Sequence, residues 1–220
     1  MDSFFKKYCS PEWQSFIDAH KEQKEVKAKG YIFKKGETTE GLYIINRGKA
    51  KVVAKDDEGK ETLIRLAADG DILGHRGFGG NWTYPISAIA LENSVITFIP
   101  LNAFNVLAKS NAEFTYHLMM FFAEELRRSE EKFMQLPVKV RVARSVLMNY
   151  KCFGFDKVEK NKLSFTLSRK DYASKSGTTY ETVIRVLADL NKAGIIKIKG
   201  KSISILKLDQ LTAIATAKKD

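Results

Sequence analysis

The chain has 220 residues, enough for two compact domains, and a formal net charge of +11. Residues 138–220 hold 18 Lys and Arg against 7 Asp and Glu, whereas residues 1–137 hold 19 of each kind, so the basic part is predicted to bind nucleic acid. Two cysteines exclude a disulfide framework, and the lack of a signal peptide or a long apolar run predicts a cytoplasmic protein with no membrane partner.

The N-terminal part is predicted to begin with helices and to continue as a β domain. Aromatic and aliphatic residues among charged ones indicate helix over the first thirty residues. From Gly30 onward, short apolar runs are separated by glycine-containing turns, which is typical of an antiparallel sandwich or barrel. The clearest predicted strands are 31–33, 41–45, 50–54, 62–66 and 94–99.

A long helix with two apolar stripes is predicted over residues 112–136. One stripe recurs every three or four residues and is predicted to form the seam of a dimer. Its members are Leu118, Phe122, Leu126, Ser129, Phe133 and Leu136. The second stripe, predicted to cover the β domain, consists of Phe114, His117 and Phe121. Pro137 predicts a bend or break before a further helix over residues 138–150.

Residues 167–196 carry the pattern of a helix-turn-helix. Ser168 and Thr178 each precede an acidic residue by three positions, a spacing that caps the first turn of a helix. Gly177 lies in the predicted turn between the two helices. The second helix is predicted over residues 179–192 and ends at a glycine.

The second of these helices is predicted to read DNA. Its inward face is predicted to comprise Val183, Val186, Leu187 and Leu190. The opposite face offers a guanidinium for guanine, a carboxylate for cytosine and an aliphatic group for a thymine methyl. The predicted base-reading residues are Tyr180, Glu181, Ile184 and Arg185. The plainer alternative is a surface ion pair between Glu181 and Arg185.

A β-hairpin is predicted after the second helix, because apolar residues alternate on both sides of Gly200. The segment is therefore predicted to be a winged helix. Basic and hydroxyl groups at the helix starts and at the hairpin tip are predicted to contact phosphates. These residues are Arg169, Lys170, Thr179, Thr182, Lys199 and Lys201.

This order of elements resembles the Crp/Fnr family of bacterial transcription regulators. The segments that carry the resemblance are 35–37, 42–45, 47–48, 70–74 and 177–187. It implies an α+β fold with an antiparallel β-roll (jelly roll), a long dimerisation helix and a C-terminal winged helix-turn-helix. The predicted domain boundaries are 1–110, 111–137 and 138–220. The resemblance further implies a homodimer that binds an inverted repeat in double-stranded DNA, RNA polymerase as a partner, and a small-molecule effector in the β-roll.

The predicted effector pocket departs from the pattern of the cyclic-nucleotide-binding members. Those members carry a glutamate and an arginine where this chain has His75 and Tyr84, or Ile86 in a shifted register. Neither replacement pairs bidentately with a cyclic phosphate, so tight cyclic AMP binding is not expected, although Arg76 is a candidate substitute. The predicted pocket residues are Gly74, His75, Arg76, Tyr84 and Ser129.

These residues do not identify a cofactor. Cys9 alone cannot supply the N-terminal cysteine cluster of the iron–sulfur members. A sensor of the same architecture for haem or another small molecule is the alternative, with His75 or His117 as the axial ligand, although a lone histidine is more often structural. An enzyme is not expected, because the sequence offers no nucleophile-and-base pair and no cluster of metal ligands.

Overall fold

The structure, a computed structural model, describes residues 4–56, 59–129 and 136–217. The chain divides into two compact units. The N-terminal unit comprises Met1–Lys60 and Ile64–Glu131, and the C-terminal unit comprises Glu61–Leu63 and Lys132–Asp220. Within the described residues, no helix is both long and apolar enough to cross a membrane.

The N-terminal unit is built around two four-stranded sheets. The strand orders are β1-β8-β3-β6 and β2-β7-β4-β5, and the β1–β8, β3–β8, β3–β6, β2–β7 and β4–β7 pairs are antiparallel. This arrangement confirms the predicted antiparallel β-roll. The strands are β1 Glu22–Val26, β2 Tyr31–Phe33, β3 Gly41–Arg47, β4 Ala50–Lys55, β5 Glu61–Ala67, β6 Ile72–Leu73, β7 Ser87–Ala90 and β8 Ser94–Pro100.

Three of these strands were missed by the sequence interpretation. The prediction of helix was wrong over β1, whose residues are mostly exposed and charged and which pairs with β8 at the edge of its sheet. Strand β6 has only two residues, and β7 reads Ser-Ala-Ile-Ala, which offers few of the branched and aromatic residues that mark strands. Their positions depend on pairing partners rather than on local pattern.

Helices cover one side of the β-roll. They are α1 Phe4–Tyr8, α2 Pro11–His20, α3 Leu101–Ser110 and α4 Ala112–Ser129. One core cluster joins these helices to β3, β6 and β8, and its largest fully buried side chain is Phe114 of α4. A second cluster is rich in stacked aromatic rings, with Phe33 and Tyr84 centred 4.3 Å apart.

The apolar stripes of α4 differ in part from the prediction. Phe114 is fully buried and Phe121 packs against the helix-covered core, as predicted. Leu118 and Phe122, predicted to lie on the dimer seam, also pack against this core instead of facing outward. The exposed large apolar residues of α4 are Tyr116, Met119, Met120 and Leu126. The predicted extension through Phe133 lies outside the described residues, and Leu136 lies in a bend rather than in a helix.

The C-terminal unit confirms the predicted winged helix-turn-helix. It contains α5 Val138–Phe153, α6 Arg169–Ser176, α7 Tyr180–Lys192, the hairpin of β9 Ile196–Lys199 and β10 Ser202–Ile205, and α8 Leu208–Thr216. The last helix was not predicted, because its start has no side-chain cap. Two isolated bridges precede the helix-turn-helix, one between Phe155 and Leu163 and one between Lys162 and Ser204.

Candidate nucleic-acid interface and effector pocket

Both helices of the helix-turn-helix are capped by hydroxyl side chains. Ser168 Oγ accepts a hydrogen bond from the Asp171 N–H at 3.1 Å, as predicted. Thr179 Oγ1 accepts from the Thr182 N–H at 3.2 Å, so the second cap is Thr179 and the prediction of Thr178 was wrong. Thr178 instead donates its backbone N–H to the Ala173 carbonyl at 3.1 Å, because it closes the C-terminal end of α6.

The turn between α6 and α7 is held in one geometry. Gly177 has left-handed backbone angles, with φ 54° and ψ 47°, which a glycine adopts without steric cost. Its carbonyl accepts a hydrogen bond of 3.0 Å from Nη1 of Arg141, a residue of α5 that is only 9% exposed. The buried hydroxyl of Ser176 lies 3.1 Å from that of Ser145, also on α5. The turn is therefore fixed against α5, which sets the direction in which α7 projects.

Helix α7 buries one face and exposes the other. Its buried residues are Val183, Val186, Leu187 and Leu190, as predicted. All four candidate base-reading residues lie on the exposed face, and the bulky Tyr180 and Ile184 are 46% and 42% exposed. No ion pair joins Glu181 to Arg185 in the part of the chain that the structure describes, so neither charge is neutralised by the other.

The candidate phosphate contacts lie at the starts of α6 and α7 and on the hairpin. Arg169 Nη1 is 3.5 Å from the carbonyl of Lys201, which links the first turn of α6 to the hairpin tip. Lys170, Lys199 and Lys201 are exposed. The hydroxyls of Thr179 and Thr182 are 3.0 Å apart and belong to the helix cap. Sequence reasoning missed Lys192 and Lys197, two further exposed lysines of this unit that alternation and helix periodicity could have placed on the surface.

Four of the five candidate effector-pocket residues surround one small cavity in the N-terminal unit. The cavity has a volume of about 20 Å³ and is lined by Gly74, His75, Arg76 and Tyr84 together with apolar side chains of the roll. Tyr84 is 2% exposed, and its hydroxyl donates to the Gly41 carbonyl at 3.0 Å. The side chain of Ser129 lies outside the described residues. The cavity has room for about one water molecule.

An ion cluster that the sequence did not reveal lies beside this cavity. It comprises Arg65, Asp71, His75, Arg76 and Glu125. Glu125 Oε2 is 3.4 Å from Arg65 Nη1, 3.7 Å from Arg76 Nη2 and 3.8 Å from His75 Nε2. Arg65 also pairs with Asp71 at 3.1 Å. The local sequence offered one indication that Glu125 is buried, namely its position about one helical turn after Phe121 and Phe122.

Burial and charge shift the protonation equilibria of this cluster. The close approach of His75, with further help from Arg65 and Arg76, lowers the pKa of Glu125 from its usual 4.5 to about 2. Burial lowers the pKa of His75, and the neighbouring guanidinium groups add to this effect while Glu125 opposes it. Glu125 is therefore a carboxylate and His75 a neutral imidazole at pH 7.

The residues present do not fit a haem or a cyclic nucleotide. A cavity of about 20 Å³ beside His75 has no room for either group, and Arg76, one of the cationic residues that line it, already pairs with Glu125. His117 stacks on Tyr8 with ring centroids 3.8 Å apart and lies 3.1 Å from Glu113. Burial raises the pKa of the Cys9 thiol to about 11, so it is protonated at neutral pH and is a poor metal ligand.

Comparisons with known proteins agree with this architecture. The cyclic nucleotide-binding domain family matches residues 23–111, and the Crp-like helix-turn-helix domain family matches residues 140–214. Electron transport regulator A of Shewanella oneidensis is 26% identical over 207 residues, which cover 93% of this chain and 82% of that protein. The fumarate and nitrate reduction regulatory protein of Vibrio cholerae is 27% identical over 208 residues, with 93% and 83% covered.

A solved structure supports the same fold. FixK2 from Bradyrhizobium japonicum aligns with a TM-score of 0.78 at 20% identity, over 90% of this chain and 99% of that chain. The two family matches fall in the order that the sequence predicted, a β-roll followed by a winged helix-turn-helix, and the curated relatives are named as regulators. The chain belongs to the Crp/Fnr family of DNA-binding transcription regulators.

Proposed function

We propose that the chain acts as a homodimer that reads an inverted-repeat operator through α7 and responds to an effector in the β-roll. The observation that carries this proposal is the geometry of α7, a capped helix with a buried apolar face and an exposed polar face. A helix held in this way presents its exposed side chains to base edges when it enters the major groove. Hydrogen bonds from Ser176 and Arg141 keep it in a fixed direction.

Each of the four candidate base-reading residues of α7 has a proposed role. Arg185 pairs bidentately with guanine, and Glu181 accepts a hydrogen bond from the cytosine amino group. Ile184 contacts a thymine methyl, and Tyr180 adds ring and hydroxyl contacts. Phosphate contacts come from the exposed lysines of the hairpin and from the starts of α6 and α7, where helix ends attract anions. These are Arg169, Lys170, Thr179, Thr182, Lys199 and Lys201.

The proposed dimer seam runs along the exposed face of α4. Tyr116, Met119 and Leu126 are 55%, 56% and 62% exposed, and the small Ala123 is exposed between the last two. These four residues are spaced 3, 4 and 3 apart, the heptad spacing of a two-helix seam. A second copy of α4 is the fitting occupant, because a two-fold dimer presents two α7 helices to an inverted repeat.

The remaining partners follow from the class of regulator. We propose RNA polymerase as a partner, because a DNA-bound transcription regulator changes the rate at which that enzyme transcribes a gene. We place the protein in the cytoplasm, where the bacterial chromosome is. We propose no catalytic activity of its own, in keeping with the curated relatives, which are named as regulators.

Selection of binding sites from a library of random duplexes, with the full chain as bait, tests this function. We expect an inverted repeat whose half-site centres lie about 34–36 Å apart, one turn of the double helix. A variant with Tyr180, Glu181 and Arg185 all changed to alanine is expected to enrich no consensus while retaining weak, salt-sensitive binding. Enrichment of the same consensus by this variant, or of no repeat by the wild type, would overturn the proposal.

A further inference from the structure

The cationic side chains that line the effector pocket already pair with a carboxylate of the chain itself. Glu125 belongs to α4 and is only 9% exposed. Its Oε2 atom lies within 4 Å of two guanidinium groups and one imidazole. A buried carboxylate without such partners would be strongly disfavoured, so the three basic side chains and Glu125 depend on one another.

Among the described residues, the ion cluster holds two guanidinium groups and two carboxylates, whose charges balance. The guanidinium groups of Arg65 and Arg76 face the carboxylates of Asp71 and Glu125. An acidic ligand in the cavity would approach Arg65 and Arg76, which line it and already pair with Glu125. It would bind only after displacing that carboxylate from its partners, which opposes the binding of phosphate and carboxylate groups alike.

The size of the cavity and the residues that line it also disfavour an acidic ligand. The cavity itself is small, about 20 Å³. Much of its wall is apolar, with Phe33, Val52 and Leu73 among the lining residues. His75 is 8% exposed, and neither of its ring nitrogens makes a hydrogen bond within the described residues. The pocket therefore retains an uncharged polar group next to apolar walls.

We propose that Glu125 is an internal counter-anion that pairs with the cationic residues lining the β-roll pocket and thereby excludes acidic effectors from it. This proposal rests on the proposed function only in so far as the roll binds an effector. It makes Glu125 the specificity-determining residue of the site. It also connects the pocket to the proposed dimer seam, because Glu125 lies on the same helix, α4, as the exposed Tyr116, Met119 and Leu126.

Chemical rescue of a truncated side chain tests the proposal. Glu125→Ala removes a group of the size and charge of acetate, so added acetate should occupy the space that the variant opens. In the full chain, we expect saturating sodium acetate to raise the melting temperature of this variant by about 3 °C or more over sodium chloride of equal ionic strength. Glu124→Ala is the matched control, because Glu124 lies next to Glu125 and pairs with Arg127 at 2.8 Å.

The wild type and the Glu124→Ala control should show no acetate-specific rise, and adding Arg76→Ala to Glu125→Ala should abolish it. An acetate effect of the same size in the wild type, or none in Glu125→Ala, overturns the proposal. Should Glu125→Ala fail to fold, Glu125→Gln keeps the shape of the side chain and removes its charge. This variant should bind inorganic phosphate at least about tenfold more tightly than the wild type in calorimetry. Equal affinities would then refute the proposal.

A parallel measurement separates this proposal from the proposed function. Operator binding by the wild type is followed in a gel-shift assay without acetate. Its failure counts against the regulator function but leaves the melting experiment interpretable, because acetate rescue requires no DNA. Tight binding of cyclic AMP by the wild type in calorimetry, at micromolar affinity or better, contradicts the exclusion of acidic effectors and leaves DNA reading untouched.

Discussion

The hydroxyl of Tyr172 donates a hydrogen bond of 2.6 Å to Oδ1 of Asn149, and both side chains are completely buried. The same oxygen accepts the Leu167 N–H at 3.1 Å, and Nδ2 of Asn149 donates to the Phe165 carbonyl at 2.9 Å. The side-chain amide of Asn149 in α5 therefore makes three hydrogen bonds, two to the segment just before α6 and one to α6 itself. Burial raises the pKa of Tyr172 far above its usual range, so this donor keeps its proton at any physiological pH.

Removal of this amide is expected to destabilise the C-terminal unit. Asn149→Ala removes three hydrogen bonds from buried or half-buried groups and should lower the free energy of unfolding by about 3 kcal/mol or more, whereas Tyr172→Phe should lower it by about 1 kcal/mol. Denaturant unfolding of the full chain measures both. Asn191→Ala is the control, because Asn191 is exposed and accepts one hydrogen bond, from Ile198. A loss for Asn149→Ala no larger than that of the control would show that the network does not stabilise the fold.

Arg185 is expected to determine one base of the operator. Arg185→Ala should cost about 1–3 kcal/mol on the best site and relax the preference at one base pair, because a bidentate pair with guanine is lost. Affinity for matched and scrambled duplexes is the measurement, with Lys109→Ala, an exposed lysine of α3, as the control. If Arg185→Ala weakens both duplexes equally, the assignment of the reading face is wrong.

Lys201 is expected to contact phosphate and to carry no sequence information. Lys201→Ala should weaken matched and scrambled duplexes alike and should reduce the slope of log affinity against log salt by about one unit, because one fewer counterion is released. A salt series on both duplexes gives the slope. A loss confined to the matched duplex would instead make Lys201 a base contact.

The exposed face of α4 is expected to hold the dimer together. Leu126→Asp removes an apolar side chain from each copy and should weaken the dimer by about 3–6 kcal/mol, enough to give monomers at micromolar concentration. Val106→Asp, which changes a residue of α3 that is 46% exposed, is the control and should remain dimeric. Sedimentation velocity distinguishes the two. An unchanged dimer for Leu126→Asp would place the seam elsewhere.

Local patterns made the helix-turn-helix predictable from the sequence. Caps, the turn glycine and the apolar face of α7 depend on residues within one or two turns of each other, so spacing alone located them. The error between Thr178 and Thr179 arose because both are threonines at a helix start. In the structure Thr178 donates its N–H back to Ala173, whereas the Thr179 hydroxyl accepts the Thr182 N–H, and sequence spacing reports neither bond.

Features that depend on distant segments were not predictable in the same way. Leu118 and Leu126 recur at helical spacing, but only packing against α1 and α3 decides which of them is covered. The ion cluster joins Arg65 on β5 to Glu125 on α4, 60 positions apart. One of two adjacent acids, about a helical turn after Phe121 and Phe122, gives no indication of its partners, so the pocket residues were predicted without the carboxylate that balances them.

The ion cluster makes the stability of the N-terminal unit depend on pH, with lower stability at lower pH. The folded state lowers the pKa of Glu125 from 4.5 to about 2, so this carboxylate stabilises the fold above pH 4.5 and loses its contribution as the pH falls from 4.5 toward 2. The pKa of His75 is also lowered by burial, so an additional loss begins as the pH falls below 6.5. In both steps the unfolded chain binds more protons than the folded one, and stability therefore falls with falling pH.

We expect Glu125 to account for on the order of 2–3 kcal/mol of unfolding free energy between pH 5 and pH 2. Glu125→Gln should be less stable than the wild type at pH 7, and the difference should shrink as the pH falls, because protonation makes the wild-type side chain neutral as well. Urea unfolding at a series of pH values measures this, with Glu124→Gln as the neighbouring control. Parallel stability curves for the wild type and Glu125→Gln across this range would show that Glu125 titrates as an ordinary surface carboxylate and contributes nothing through the cluster.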